Sequence, residues 1–386
     1  MTTNLNATAS LQALRSQMHS AFIGRDAEID GMLTALIAKT HCLLLGPPGT
    51  AKSLLTQTLA SALQDQPEDY FQLLLTSFTT PDEVFGGPDL PALDRGEGLR
   101  RDVQGYLPTA RTAFLDEIFK ANSAILNALL TMLNERSFDN GGKRMNCPLQ
   151  LCVGASNEYP EDSSLEALYD RFQLRFWTDY LPSRSERKRL LLCPDPASQV
   201  TTKLTGAQVS ELQNLCRNVK VPDNVLEALL DVAERLAQLD GLQVSDRRLR
   251  SAVKLLQARA VLNGRDHVQL PDLQILADSL WHRHEQRPSV LAVVLEVAAP
   301  GLAKAQQLAD AATEVLEQLG AKPDMSALEM ASKKIRHIET ELRGLEIGEQ
   351  ERDDVDALHA EIKAVRKAVA RRFAQLNPAI SSVLRG

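Results

Sequence analysis

Aromatic residues are scarce, at 4% of the 386 residues. A protein that holds single strands by stacking bases on rings would have little to work with. Positive charge is not in excess either. Lys and Arg number 43 against 50 Asp and Glu, a formal charge of −7, which argues against bulk binding to a phosphate backbone. The five cysteines, at 42, 147, 152, 193 and 216, include no C-x-x-C pair. Such an odd, scattered set suits reduced thiols and small core residues of a cytoplasmic protein. No uncharged stretch reaches the roughly 18 residues that a membrane span needs, and Met1 to Ser20 has no apolar signal core. No transmembrane segment is therefore expected.

What is present begins with a core supply: 44% of residues are hydrophobic, in a chain long enough for two or three domains. The chain is organised around Gly46-Pro47-Pro48-Gly49-Thr50-Ala51-Lys52-Ser53. The apolar run Cys42 to Leu45 precedes it, and the helix formers Leu54 to Gln57 follow. This reads as strand, glycine-rich loop and helix N-terminus, an arrangement whose backbone N–H groups and helix dipole suit a phosphate chain. Lys52 would reach the terminal phosphates and the Ser53 hydroxyl would hold Mg²⁺. The strict motif has Gly where Ala51 stands. Ala51 is expected to adopt ordinary helical angles at the start of the helix.

Further along, Phe71 to Leu75 reads as a buried strand, and 79–108 as a long irregular stretch of the kind that is usually functional. Thr112 to Glu117 is a short apolar strand ending in two carboxylates. An isolated Asp-Glu pair is more often a solvated strand end. Downstream of a phosphate loop, Asp116 would bind Mg²⁺ and Glu117 would polarise an attacking water. A helix with Ile125, Leu126, Leu129, Leu130 and Leu133 apolar comes next. Asn140-Gly141 then signals a hairpin turn within 136–149. The strand from Leu149 to Ala155 ends in Ser156-Asn157, where the Asn157 amide would touch the water or the γ-phosphate, or simply form a turn. Arg171 is either a surface ion pair with Asp170 or an arginine finger acting on a neighbour's nucleotide, with Arg175, in a strand from Leu174 to Leu181, as its rival.

Beyond Pro182 the pattern is helical. Thr205 and Gln208 fit a capping box. Ser245-Asp246-Arg247-Arg248 opens a helix with Leu249, Val253, Leu256 and Ala260 on its inner face. Arginines in a first turn oppose the helix dipole, so an anion nearby would relieve them, whether a nucleotide phosphate or Asp246. From 290 onward, Leu302 to Leu319, Ile335 to Leu345 and Val355 to Val369 carry helical apolar rhythms and suggest a three-helix bundle. His267, His282 and His284 lack ligand spacing.

Taken as a set, 46–53, Phe-Leu-Asp-Glu-Ile (114–118), Leu-Asn-Glu-Arg (133–136), Ala-Ser-Asn-Glu (155–158) and Leu-Tyr-Asp-Arg-Phe (168–172) resemble the MoxR family of AAA+ ATPases. Residues 163–171 and 244–248 are similar to its RavA branch. The resemblance spans about 10–290. It implies an α/β fold: an AAA+ αβα sandwich with a five-stranded parallel sheet (1–190), an all-α lid (191–289) and a C-terminal helical bundle (290–386). It also implies ATP and Mg²⁺ as ligands. Pro48, Gly49, Thr50, Ala51, Lys52, Ser53 and Leu54 would bind nucleotide, and Ile23 and Gly24 would flank adenine. Ser53 and Asp116 would serve the metal, and Glu117, Asn157 and Lys52 the chemistry. Arg171 would be the finger. Arg247 would be the lid's second sensor, with Arg248 as alternative. A hexameric homo-oligomer, a VWA-domain adaptor and a protein or metalloenzyme client follow from the resemblance, while nucleic acid does not. RavA proteins carry a β-rich insert in the C-terminal helices, which 290–386 lacks. The competing readings are a nucleic-acid motor, using Lys143 and Arg144 on the hairpin, and a small-molecule kinase sharing the phosphate loop.

Overall fold

The apolar run ahead of the glycine-rich loop becomes an interior strand of a sheet. In the computed structural model, which describes residues 2–63, 65, 69–96, 98–160, 163–240, 242–320, 323–345 and 352–376, it is strand β1 (His41–Leu45), buried throughout. Helices α1 (Thr2–Ala21) and α2 (Asp26–Ala38) precede it. After it come α3 (Lys52–Leu63), β2 (Tyr70–Leu74), α4 (Pro81–Phe85), α5 (Leu90–Asp94), β3 (Thr112–Asp116) and α6 (Ser123–Glu135). Next are β4 (Ser137–Asn140), β5 (Lys143–Asn146), β6 (Leu151–Ser156), α7 (Ser163–Tyr169) and β7 (Phe172–Trp177). Five of the strands form one parallel sheet in the order β2-β3-β6-β1-β7. Continuous apolar runs in β1, β3 and β6, without alternation, are what a covered parallel sheet demands. The order puts the carboxyl ends of β1, β3 and β6 side by side, so the loops that follow them meet at one edge.

The remaining helices are α8 (Arg184–Leu192), α9 (Pro196–Gln199), α10 (Gly206–Asn218), α11 (Asp223–Asp240), α12 (Asp246–Leu262), α13 (Arg287–Ala298), α14 (Pro300–Gln318), α15 (Met325–Arg343) and α16 (Arg352–Leu376). The chain divides into two compact units, residues 1–227 with 242–287, and residues 228–241 with 288–386. In the second, α14, α15 and α16 pack on one another around Leu308, Ile335, Leu342, Leu358 and Ile362. The expected three-helix bundle is therefore present. Among the described residues from 288 onward there is no strand. The acidic interruption beginning at Gly348 falls largely outside the described residues.

Several local expectations need correction. The last strand of the sheet ends at Trp177 and not Leu181, because the Asp179 carbonyl is taken by Arg25 instead of a neighbouring strand. The hairpin turns on Gly141 and Gly142, at φ +59° and +78°, the left-handed pair that a two-residue hairpin loop requires. Asn140 is the last strand residue, paired with Lys143. Its side-chain amide bonds both the N–H and the carbonyl of Arg101, at 2.7 and 3.0 Å, and so ties the hairpin to the 79–108 stretch. That stretch contains α4, closed by a Thr80–Glu83 capping box, and α5. On α12, Leu256 and Ala260 are buried as expected, whereas Leu249 and Val253 are only half-buried and Arg248, Ala252 and Leu255 are buried in addition. A buried arginine at its first turn has rotated the face. Among the described residues no helix is long and apolar enough to cross a membrane.

Candidate functional site

The loop after β1 is shaped by close approach. Gly46 has φ +133°, and a Cβ there would lie 2.3 Å from the Thr178 carbonyl oxygen. Only glycine can stand at this position. Lys52 opens α3 and is buried despite its charge, with 7% exposure. Its Nζ donates to the carbonyls of Gly46 (2.6 Å) and Pro47 (2.9 Å) and to Asn157 Oδ1 (3.2 Å). Three donors thus meet three acceptors, which makes burial of the ammonium tolerable. Burial draws its pKa down, while Asp116 and Glu117 push it up.

Ala51 does not have the angles expected of it. Its φ is +69°, in the left-handed region. For a residue with a Cβ this costs roughly 1–2 kcal/mol, and it explains why the strict motif has glycine here. Ala51→Gly should therefore stabilise the protein by about 0.5–1 kcal/mol, after allowing for the greater freedom glycine gives the unfolded chain. Urea unfolding measures this, and a loss of stability would show that Ala51 is unstrained.

At the end of β3, Asp116 and Glu117 form a charged pair joined through the backbone. The Glu117 N–H donates to Asp116 Oδ1 at 3.0 Å, and Glu117 has φ +51°, a strained angle of the kind that clusters at functional sites. Burial first, and the neighbouring Glu117 carboxylate second, raise the Asp116 pKa, against the opposing pull of the Glu117 N–H and of Lys52. From the end of β6, Asn157 bridges the two constellations. Its Oδ1 accepts from Lys52, and its Nδ2 donates to Glu117 Oε1 at 2.7 Å. Glu117 Oε2 has no hydrogen-bond partner and lies 3.3 Å from Lys120 Nζ. Lys52, Asp116, Glu117 and Asn157 are therefore brought together as the sequence pattern implied. Lys120 was not foreseen.

Beside the loop lies a cleft of about 640 Å³. Ile23, Gly49, Thr50, Ala51 and Leu54 line it, and Tyr180 and Leu181 close it from the chain leaving β7. Gly24, at φ +68°, packs so that a Cβ would lie 2.7 Å from Leu181 Cδ2. The Tyr180 hydroxyl donates to the Pro48 carbonyl at 3.1 Å. Nothing in the local sequence marks Tyr180, because its partner lies 132 residues earlier.

The arginines stand elsewhere. Arg171 and Arg247 line a small recess of about 150 Å³ with Lys39, His41, Asn134 and Gln173. His41 begins β1 and Gly46 follows its end, a separation of about 16 Å along the strand. The recess is thus at the opposite edge of the sheet from Lys52. Arg171 makes no side-chain hydrogen bond or ion pair among the described residues, and its Nε is buried without a partner. Burial, then the nearby Arg247, lower its pKa. Arg247 is exposed and donates to Asn134 Oδ1 at 2.8 Å. Neither alternative arginine is free. Arg175 is 1% exposed, donates to the Trp281 carbonyl at 2.6 Å and stacks over Tyr169 at 3.9 Å, with its pKa pushed down to about 9 by burial. It cannot be presented to a neighbour. Arg248 donates to Asp170 at 2.6 Å and to the Ser279 carbonyl at 3.0 Å. Asp170 is the acid that relieves this helix start; it also stands 3.8 Å from Arg175 and acts on Arg171 only as a nearby charge. Of the histidines, His284 stacks on Trp177 at 3.9 Å and shares a 2.9 Å hydrogen bond with the Tyr159 hydroxyl, a structural use.

A phosphate loop on the interior strand β1, acids on the strand two places along and an amide on the strand between are the AAA+ arrangement of the α/β nucleotide-binding fold. Comparison with known proteins narrows the class. Residues 9–217 match the profile described as the MoxR domain in the MoxR-vWA-beta-propeller ternary systems, and residues 224–294 match the AAA lid domain. An uncharacterised protein of Methanocaldococcus jannaschii is 39% identical over 271 residues, 70% of either chain. Chaperone MoxR1 of Mycobacterium tuberculosis is 25% identical over 280 residues, covering 68% of this chain and 72% of that protein. A crystal structure of a proposed ATPase from Cytophaga hutchinsonii has a TM-score of 0.61 at 20% identity, over 76% of this chain and 96% of that one. The chain belongs to the MoxR family of AAA+ ATPases.

Proposed function

We propose that the protein is a Mg²⁺-dependent, ATP-hydrolysing remodelling motor of the chaperone-like MoxR type, closest in kind to the RavA branch. Its sites are built between copies in a hexameric ring, and it works in the cytoplasm with a VWA-domain adaptor on a protein or metalloenzyme client. In this reading 1–190 is the nucleotide-binding body, 191–289 the lid and 290–386 a helical appendage. The observation that carries it is the separation of charges across the sheet. The lysine, acids and amide lie at one edge, and the unpaired Arg171 with Arg247 lies at the other, beyond reach of the chain's own phosphate loop. A guanidinium that makes no ion pair or side-chain hydrogen bond among the described residues is poised for an external anion, and a neighbour's nucleotide is the anion a ring would bring. The adaptor is supported by the description of the matched family and the chaperone activity by the name of a relative.

Lys52, the loop N–H groups and the N-terminus of α3 would bind the phosphates. Glu117, oriented by Asn157, would take the proton from the attacking water. Arg171 and Arg247 from the adjoining copy would hold charge that develops on the transferring group. The exposed Ser53 hydroxyl and the partly buried, pKa-raised Asp116 carboxylate suit a small hard cation held chiefly by phosphates and water. Ser53 and Asp116 would hold Mg²⁺, whose charge would offset that of the phosphates. A nucleic-acid motor is not favoured. Arg144, one of the two hairpin bases available to touch phosphates, is engaged by Glu135 and by Ser137 Oγ. If sites are shared, phosphate release per protomer should rise at least tenfold, roughly, as dilute protein is concentrated through assembly. A rate per protomer that does not change with concentration would point to a self-contained site.

A further inference from the structure

Arg25 follows the Ile23-Gly24 pair in the turn between α1 and α2. It is a buried cation, 9% exposed, and it spends its donors on three backbone carbonyls. Its Nε donates to Thr50 at 3.3 Å, its Nη1 to Gly24 at 3.1 Å and its Nη2 to Asp179 at 2.5 Å. These carbonyls belong to three separate stretches: the turn on the base side of the cleft, the phosphate loop, and the chain leaving β7, which goes on to supply Tyr180 and Leu181. Glu28, also buried, stands 3.8 Å away as counter-charge. Burying an arginine and a glutamate is expensive, and an apolar residue could fill the space. The charge is retained at a place where the spread nitrogens of one planar fork each reach a different segment, whereas a lysine's three donors all sit on a single nitrogen.

We propose that Arg25 is a positioning residue that locks the base-side wall of the cleft to the phosphate loop, so that nucleoside and phosphates are bound as one unit. The proposal rests on the nucleotide reading above. The same junction is closed from the other side, where Gly46 meets the Thr178 carbonyl. Without the fork, the turn, the loop and the 178–181 segment would each relax separately. The affinity that the nucleoside adds to the phosphates should then drop.

Competition titrations of the full chain against a fluorescent ADP analogue, using ADP and inorganic pyrophosphate, give the ratio of their dissociation constants. Any loss of folded protein cancels in that ratio. In Arg25→Gln the advantage of ADP over pyrophosphate is expected to fall about tenfold or more, within the usual range of coupling between sites. Arg25→Lys should show the same fall. A ratio in Arg25→Gln within about twofold of wild type overturns the lock. Full recovery in Arg25→Lys also overturns it, since only the charge would then matter. Wild-type protein that binds neither ligand sinks the nucleotide reading and the lock together, and is told apart because it appears before any substitution.

Discussion

Glu117→Gln should leave ATP bound and cut steady-state phosphate release about 10²–10⁴-fold, the usual contribution of a positioned general base. That is roughly 3–5 kcal/mol of barrier. The substitution isolates this role because glutamine keeps the size and one acceptor. The Asn157 amide can still donate to the oxygen it now meets at 2.7 Å. What is lost is the negative charge and the proton-accepting capacity of Oε2, the oxygen that has no hydrogen-bond partner. Lys52, Gly46 and the loop are untouched, so affinity for a fluorescent ATP analogue should hold or tighten, since one negative charge beside the phosphates is gone. Because such a protein would stay loaded with ATP, it is also the form in which a pull-down should retain an adaptor and client. Turnover above about a tenth of wild type would remove Glu117 from the role of base.

The site was legible where its parts are local in sequence. Strand, loop and helix around Lys52 follow one another within about 20 residues, and the acids of β3 and the amide of β6 each end an apolar run. The parallel sheet then brings the three ends together by topology, which an ordered series of strands and helices already constrains. Legibility failed where conformation or partners come from afar. The positive φ of Ala51 is imposed by a loop whose start is packed against Thr178. Arg25 carries no motif that announces three carbonyls as far as 154 residues away. Arg171 and Arg175 are equal in sequence because one ends the turn before β7 and the other lies within it, and β7 is buried in every residue but the last, so no alternation marks the fate of either guanidinium. The structure separates them by what each touches: Arg175 has the Trp281 carbonyl and the Tyr169 ring, whereas Arg171 makes no side-chain hydrogen bond or ion pair among the described residues. Arg248, read as an alternative sensor, was hidden in the same way by its pairing with Asp170 across 78 residues.

Arg171→Ala should bind ATP normally and hydrolyse it about 10³–10⁵-fold more slowly, the range for loss of an arginine finger. A fall in rate alone would not show that the arginine comes from another copy; mixing does. In a head-to-tail ring each site takes its base from one protomer and its finger from the next. An Arg171→Ala protomer retains Glu117, and a Glu117→Gln protomer retains Arg171. At equal mixing, half of the sites have a competent base, and half of those face a competent finger. Phosphate release should therefore recover to roughly a quarter of the wild-type rate per site, from two preparations that are each nearly inactive. Arg247 lies beside Arg171 and is held by Asn134, so Arg247→Ala should be rescued by the same partner. Recovery requires only that subunits exchange, which energy transfer between separately labelled protomers on mixing would establish independently. If subunits exchange and the mixed rings stay inactive, Arg171 does not complete a neighbour's site, and the cationic recess at the start of β1 serves some other anion.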